Sequence, residues 1–122
     1  FVKEHAGDVE LAEFIGPLQA KAAEWAKLTQ SVLQRAAANP EEIGAASFDY
    51  LFYSGYVVLA YWWARSVATA KASAQDAAFK QAKLETARFY YARVLPRTLA
   101  HAACIEAGAA PLMAMEDARF GA

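Results

Sequence analysis

The residue types closest to a metal site are His101 and Cys104, which lie three positions apart. Residues three apart share a helical face, and imidazole and thiolate are both zinc ligands. A zinc site needs three or four such ligands, however, and this is the only Cys; the second histidine, His5, lies in the leading segment. We therefore expect no metal site, and interpret the pair as a partly exposed His and a small buried Cys.

Other arrangements that carry catalysis are missing from the sequence. A di-iron bundle needs Glu-x-x-His pairs, and none occurs. The serines lack the G-x-S-x-G context of a nucleophile elbow, and the six glycines are scattered singly instead of forming a phosphate loop. No catalytic, cofactor-binding or metal-binding residue is therefore assigned in this chain.

Basic residues in the last third of the chain could bind an anion. Arg93, Arg97 and His101 recur at four-residue steps, so one helical face could hold phosphate groups of a nucleotide or of coenzyme A. Residues 1–50 carry eight acids and four bases, whereas residues 51–122 carry five acids and eight bases. The favoured interpretation is a solvated basic face that pairs with the acidic first helix.

Arg65 is the first charged residue after a long apolar run. It lies about nine residues before a turn near residue 74, and Glu85 lies at a similar distance after it. In an antiparallel helix pair the two residues have similar heights. We expect a partly buried, structural ion pair between Arg65 and Glu85.

Helices must position all of these side chains. Alanine supplies 31 of the 122 residues, and it has the highest helix propensity, whereas β-branched residues are few. The pattern predicts an all-α domain over residues 1–122. The expected helices cover residues 17–38, 41–72 and 77–107, with a short helix over 111–117.

Prolines and capping residues give the expected helix ends. Pro17 suits a first helical position, and the Asn39-Pro40 pair closes the first helix. Asp76 is the expected N-cap of the third helix, Pro96 should kink that helix, and Gly108 should end it. The short connections predict an antiparallel up-down bundle of three long helices, with the short terminal helices as a partial fourth.

The second predicted helix is apolar on every side. Residues 50–64 contain no charge, and eight of the sixteen aromatic residues fall between Phe48 and Trp63. Such a helix needs cover from other helices, from a partner chain or from lipid. Fifteen residues are short of the roughly 20 that cross a bilayer, and a longer span would include Asp49 or Arg65. We expect a subunit or domain interface and no membrane span.

Charge and chain composition limit the remaining classes. The net charge of −1 argues against a nucleic-acid-binding domain, which is usually strongly basic. One Cys cannot form an internal disulfide, and we expect no signal peptide ahead of the first helix. Because the chain begins at Phe1 and not at Met, we expect a fragment of a longer cytoplasmic protein.

Two segments resemble a known family. Residues 50–57, YLFYSGYV, followed by WWAR at 62–65, are similar to the second long helix of the C-terminal extension found in some acyl-CoA dehydrogenases. Residues 79–90, FKQAKLETARFY, and VLPR at 94–97 resemble the third helix of that extension, and residues 108–120 resemble its tail. The resemblance covers most of the chain from about Leu18 onward.

The resemblance implies a role for the chain within a larger enzyme. Acyl-CoA dehydrogenases are flavoenzymes of fatty acid metabolism that introduce an α,β double bond into acyl-CoA thioesters and pass electrons through FAD. Their catalytic Glu and flavin site lie in preceding domains, so this chain would be an inactive accessory domain on the catalytic body or at a subunit interface of a homo-oligomer. Acyl-CoA would be a partner only through the parent enzyme.

Two alternatives to an accessory domain remain open. The first is a stand-alone helical module without catalytic activity that dimerises through its aromatic helix. The second is a small ligand-binding bundle whose pocket is lined by Tyr53, Tyr56, Trp62 and Tyr90.

Overall fold

The computed structural model of the chain describes residues 1–121, and within this range it contains helices and turns but no β-strand. The predicted all-α class is confirmed. The helices are α1 (Ala12–Ala38), α2 (Glu41–Ala72), α3 (Ala77–Phe89), α4 (Thr98–Ala107) and α5 (Ala110–Met113). A single 3₁₀ turn, Asp117–Arg119, follows within the described residues.

Helix α2 forms the centre of the bundle, because it contacts α1, α3 and α4. Two residues connect α1 to α2, and four connect α2 to α3. Connections this short make successive helices antiparallel neighbours. The predicted up-down arrangement of three long helical stretches is therefore the arrangement observed.

The first helix begins earlier than the sequence predicts. We expected its start at Pro17, but α1 begins at Ala12 and carries Pro17 in its interior. The turn before the proline buries Phe14 and Ile15 in the core, next to Leu11. Burial of one side chain of this size stabilises the fold by about 1.5–3 kcal/mol. Two or three such side chains therefore offset the roughly 3 kcal/mol cost of a proline inside a helix.

The third predicted helix changes type in its middle. Its start is as predicted, since the Asp76 carboxylate accepts a hydrogen bond of 2.8 Å from the Phe79 N–H. Beyond α3 the chain forms a π-helical segment, Tyr90–Val94, and then a 3₁₀ turn, Leu95–Arg97. Pro96 lies in that turn, and its ring and missing N–H account for the interruption of α-helical bonding. The predicted kink is thus a division of residues 77–107 into α3 and α4.

Gly108 ends α4 in the left-handed region, with φ of +71°. An added Cβ there would lie only 3.0 Å from a Glu42 carboxylate oxygen, so glycine is required both for the backbone angle and for this close approach. The last helix, α5, covers Ala110–Met113 and is shorter than the predicted 111–117.

The core lies where α2 faces the other helices. Tyr53, Ala60, Ala64, Ala87 and Ile105 are fully buried in it. The alanines allow the helices to approach closely, and Tyr53 fills the space between α1 and α2. One face of α2 is therefore buried in the core, and the opposite face is exposed.

The leading segment, residues 1–11, folds back as turns over the bundle. The Phe1 ring packs edge-on against Tyr61, with 5.6 Å between ring centroids. Lys71, near the end of α2, forms ion pairs of 3.0 Å with Asp8 and 2.7 Å with Glu10. These exposed pairs hold the segment at the end of α2 remote from the α1–α2 connection.

Candidate functional site

His101 is paired with an acid and not with Cys104. Its Nδ1 lies 2.7 Å from an Asp49 carboxylate oxygen, and its ring stacks on Phe52 with centroids 5.5 Å apart. Cys104 is exposed, which corrects the expectation of a buried Cys. Within residues 1–121 no group of three potential metal ligands lies together. The His101–Asp49 contact connects α4 to α2, and no local sequence signal links residues so far apart.

The structure does not bring Arg93, Arg97 and His101 together on one regular face. The π and 3₁₀ segments lie between them, so the four-residue spacing of an α-helix does not apply. Arg93 and Arg97 are exposed, whereas His101 is turned toward Asp49. The basic residue of this stretch that does pair with the acidic first helix is Arg88, which contacts Glu13 through two nitrogens at 2.7–3.1 Å.

The predicted ion pair between Arg65 and Glu85 is wrong. Arg65 Nη1 donates to the Tyr61 hydroxyl at 3.0 Å, and the guanidinium lies 5.3 Å from the centroid of Trp62. Glu85 instead accepts from Gln81 at 2.8 Å. Similar height along two helices was not sufficient for an ion pair, because Arg65 lies on the exposed side of α2 and does not face α3.

The four aromatic residues expected to line a ligand pocket lie in different environments. Tyr53 is fully buried, and its hydroxyl donates to Glu24 at 2.6 Å. The Tyr90 hydroxyl donates to the backbone carbonyl of Tyr56 at 2.9 Å, and Trp62 is exposed on the outside of α2. Within the described residues the four side chains do not face one common cavity, so the prediction of this pocket is wrong.

The hydroxyl groups of the buried tyrosines are held in neutral form. Burial and the nearby Glu24 carboxylate raise the pKa of Tyr53. Burial raises the pKa of Tyr90 to about 12, and the neighbouring Tyr56 adds to this shift. Burial and Tyr90 raise the pKa of Tyr91, whose hydroxyl donates to the Ala60 carbonyl. These groups are interhelical hydrogen-bond donors and are poor proton donors at neutral pH.

One polar cluster joins the ends of three helices. Arg35 Nε donates to Glu42 at 2.9 Å, and Arg35 Nη2 donates to the Ile105 carbonyl at 2.7 Å. The other Glu42 oxygen accepts from the Ala109 N–H at 3.1 Å. The Ala109 N–H and the Arg35 guanidinium lower the pKa of Glu42. The sequence indicated Glu42 only as an acid at a helix start, and its connection to α4 depends on the fold.

One side of α2 carries an exposed apolar strip, which we call the outer face. Its members are all exposed and recur at three- and four-residue steps: Gly44, Phe48, Leu51, Gly55, Val58 and Trp62. Phe52 and Leu59 flank the strip, and the exposed fractions of the four large side chains of the strip and of these two flanking residues lie between 41% and 69%. Glu41 and Arg65 are the charged residues at its two ends. Contiguous apolar surface of this kind usually marks an interaction site.

An apolar groove continues the outer face toward α1. It has a volume of about 620 Å³. Leu33 lines it from α1, and Ile43, Tyr50 and Leu51 line it from α2. The Tyr50 hydroxyl lies 2.7 Å from the Thr29 hydroxyl, so the polar group of Tyr50 is satisfied within the domain. Groove and outer face together leave one side of the bundle apolar.

Comparison with known protein families decides the relationship of the chain. The family described as acetyl-CoA dehydrogenase C-terminal like matches residues 1–116 of the 122. The chain belongs to that family. The resemblance noted in the helical motifs is thereby confirmed, and the match extends to the leading segment. No curated protein sequence matches the chain.

In this acetyl-CoA dehydrogenase C-terminal-like domain, α2 is also long and apolar enough to cross a membrane by length and composition. Mostly buried core helices pass the same test, whereas little of the apolar part of α2 is buried, although the helix packs against three others. The absence of a membrane span therefore stays a prediction. For the domain, the outer face of α2 is the main candidate functional surface.

Proposed function

We propose that this chain is the accessory C-terminal domain of an FAD-dependent acyl-CoA dehydrogenase and that it acts as an assembly surface without chemistry of its own. The observation that carries this proposal is the outer face of α2, an exposed apolar strip in a domain of this family. The parent enzyme would introduce an α,β double bond into acyl-CoA in fatty acid metabolism, as a cytoplasmic homo-oligomer.

The polar groups of the domain support an assembly role. Arg35 and Glu42 join helix ends, Tyr53 bonds to Glu24, and His101 bonds to Asp49. Each of these contacts connects two helices. Side chains used in this way hold the bundle rigid, which is what a docking surface requires.

We expect FAD to be bound outside this chain. A flavin diphosphate is usually held by a Gly-rich loop that leads into a helix N-terminus. In residues 1–121 the glycines stand singly, and no such loop precedes α1, α2 or α3. These observations support the proposal that the FAD of the parent is held by its other domains, and no step of the reaction is assigned to residues of this chain.

The reading frame that encodes the chain tests this proposal. We expect a dehydrogenase body to be encoded upstream of Phe1, and the complete protein to be yellow and to lose flavin absorbance when acyl-CoA is added without oxygen. The isolated chain should bind neither FAD nor acyl-CoA in equilibrium dialysis. A start codon directly before Phe1 would contradict the proposal.

A stand-alone dimerisation module is the second candidate. The same outer face favours it, because a helix that exposes Phe48, Leu51 and Trp62 needs cover whether or not a parent enzyme exists. The two candidates differ in the upstream reading frame and agree on the surface that is used.

A further inference from the structure

We propose that the outer face of α2 pairs with the outer face of α2 from a second copy of this domain, in an antiparallel arrangement. This proposal rests on the proposed function, in which that surface is used for assembly, and names its partner. The pattern of side-chain size along α2 carries it.

The outer face has the spacing of a coiled-coil seam. Phe48, Gly55 and Trp62 are seven residues apart, and Gly44, Leu51 and Val58 form a second series with the same spacing. The two series together give alternate steps of three and four residues, the a and d positions of a heptad repeat. All six positions are exposed, so no other helix of the domain occupies this seam.

Antiparallel pairing matches large side chains with small ones. When Leu51 lies opposite Gly55 of the second copy, Phe48 lies opposite Val58 and Trp62 lies opposite Gly44. Leu51 and Trp62 then each meet a glycine, and Phe48 meets the smaller Val58. A two-fold axis requires this kind of self-complementarity, because every contact occurs twice.

The two glycines have no role within the domain that requires them. A Cβ added at Gly44 or at Gly55 would meet no atom within 4 Å. Glycine inside a helix costs about 1 kcal/mol relative to alanine, and its usual advantage is close approach of another backbone. Both glycines lie on the outer face, where only a second molecule could make that approach.

Charge favours the antiparallel direction. In this register Glu41 of one copy lies at the same height as Arg65 of the other, so each end of the pair carries both signs. A parallel pair would place Arg65 beside Arg65 and Glu41 beside Glu41. Such like-charge contacts disfavour an arrangement even when each is weak.

The available area is sufficient for a specific dimer. A whole aromatic side chain presents about 200 Å², so Phe48, Phe52 and Trp62, each about half exposed, offer about 300 Å². The flanking and seam aliphatic residues raise this to about 500 Å² per copy, or about 1,000 Å² for the pair, near the lower limit for specific interfaces. A pairing that matches the groove edge at Leu33 would add to this.

Cysteine cross-linking tests both the partner and the register. In a background with Cys104→Ala, one batch of the 122-residue chain carries Phe48→Cys and another carries Val58→Cys. After mixing and mild oxidation, we expect a disulfide between the two batches. Each batch alone should stay uncross-linked, because identical positions are about 15 Å apart along the pair and a disulfide needs Cα atoms within about 7 Å.

The other outcomes overturn the proposal. Cross-linking of each batch alone would indicate a parallel pair, and no cross-linking in a mixture with intact helical circular dichroism would indicate another occupant, such as the parent body. Light scattering should show a dimer for the unmodified chain and at least a tenfold weaker dimer for Gly55→Leu. The control Leu99→Glu, on an exposed leucine of α4, should leave the dimer unchanged.

Failure of this inference and failure of the proposed function give different results. A monomeric chain whose reading frame encodes a flavin dehydrogenase removes the pairing and leaves the proposed function. A cross-linked dimer whose reading frame encodes no such enzyme removes the proposed function and leaves the pairing.

Discussion

The Tyr53 hydroxyl donates a hydrogen bond of 2.6 Å to the Glu24 carboxylate and thereby connects the middle of α2 to α1. Tyr53 is the largest fully buried side chain of the domain, and the pKa of Glu24 is lowered. Burial opposes that change, but the hydrogen bonds from Lys21 and Tyr53 outweigh it. The contact is one of few polar links between these two helices, and it defines which face of α2 is buried.

Removing this hydroxyl should weaken the bundle without changing its shape. We expect Tyr53→Phe to lower the free energy of unfolding by about 1.5–3 kcal/mol, the range for a hydrogen bond to a charged group. Urea denaturation would measure this. The control is Tyr56→Phe, because the Tyr56 hydroxyl makes no hydrogen bond within the described residues; an equal loss in both variants would contradict the assigned role.

Alkaline pH should destabilise the domain through its buried tyrosines. The pKa of Tyr90 in the folded state is about 12, above the ordinary value of 10. A raised pKa stabilises the fold fully below pH 10, and this contribution is lost as pH rises toward 12. Denaturation at several pH values should show stability falling above pH 10, with a smaller fall in Tyr90→Phe. A pH-independent stability up to pH 12 would be inconsistent with this assignment.

Acid should loosen the junction of α1, α2 and α4. The folded-state pKa of Glu42 is lowered, so its contribution is present above the unfolded value of about 4.5 and is lost as pH falls below that value. We expect Glu42→Gln to lower the melting temperature at pH 7 and to reduce the difference between pH 7 and pH 3. Glu85→Gln is the control, because Glu85 is exposed and, within the described residues, bonds only to Gln81; an effect as large as that of Glu42→Gln would argue against the junction.

Replacing the interior proline of α1 should stabilise the domain. Pro17 leaves the Glu13 carbonyl without its helical N–H partner, which costs about 3 kcal/mol in a helix interior, while its fixed backbone recovers about 1 kcal/mol through the unfolded state. We therefore expect Pro17→Ala to raise the free energy of unfolding by about 2 kcal/mol in urea denaturation. An unchanged or lower stability would place the helix start at Pro17, as its sequence position alone suggests.

Sequence patterns were sufficient for the fold class and for most helix ends. Alanine content, the Asn39-Pro40 pair and the Asp76 cap act locally, so they could be interpreted without knowledge of the fold. The start of α1 could not be predicted in this way, because it depends on burial of Phe14 and Ile15 against distant residues. The cost of a proline inside the helix and the free energy gained by burying these two side chains are of similar size. The burial decides where α1 begins.

Side-chain partners were harder to predict than helices. Arg65 and Glu85 have similar heights on neighbouring helices but point in different directions, and an aromatic cation contact on its own helix holds Arg65. His101 and Asp49 are 52 positions apart, and only packing of α4 on α2 brings them together. The sequence predicted that α2 is apolar on every side. Only the structure shows which side of the helix is exposed.

The flavin content of two proteins would show whether this domain serves a flavoenzyme and holds no flavin itself. The complete protein encoded by the reading frame and the isolated 122-residue chain would be purified in parallel, and their visible spectra recorded. We predict about one FAD for each complete chain and no flavin absorbance in the isolated domain. A colourless complete protein, or an isolated domain that retains stoichiometric FAD, would contradict the account.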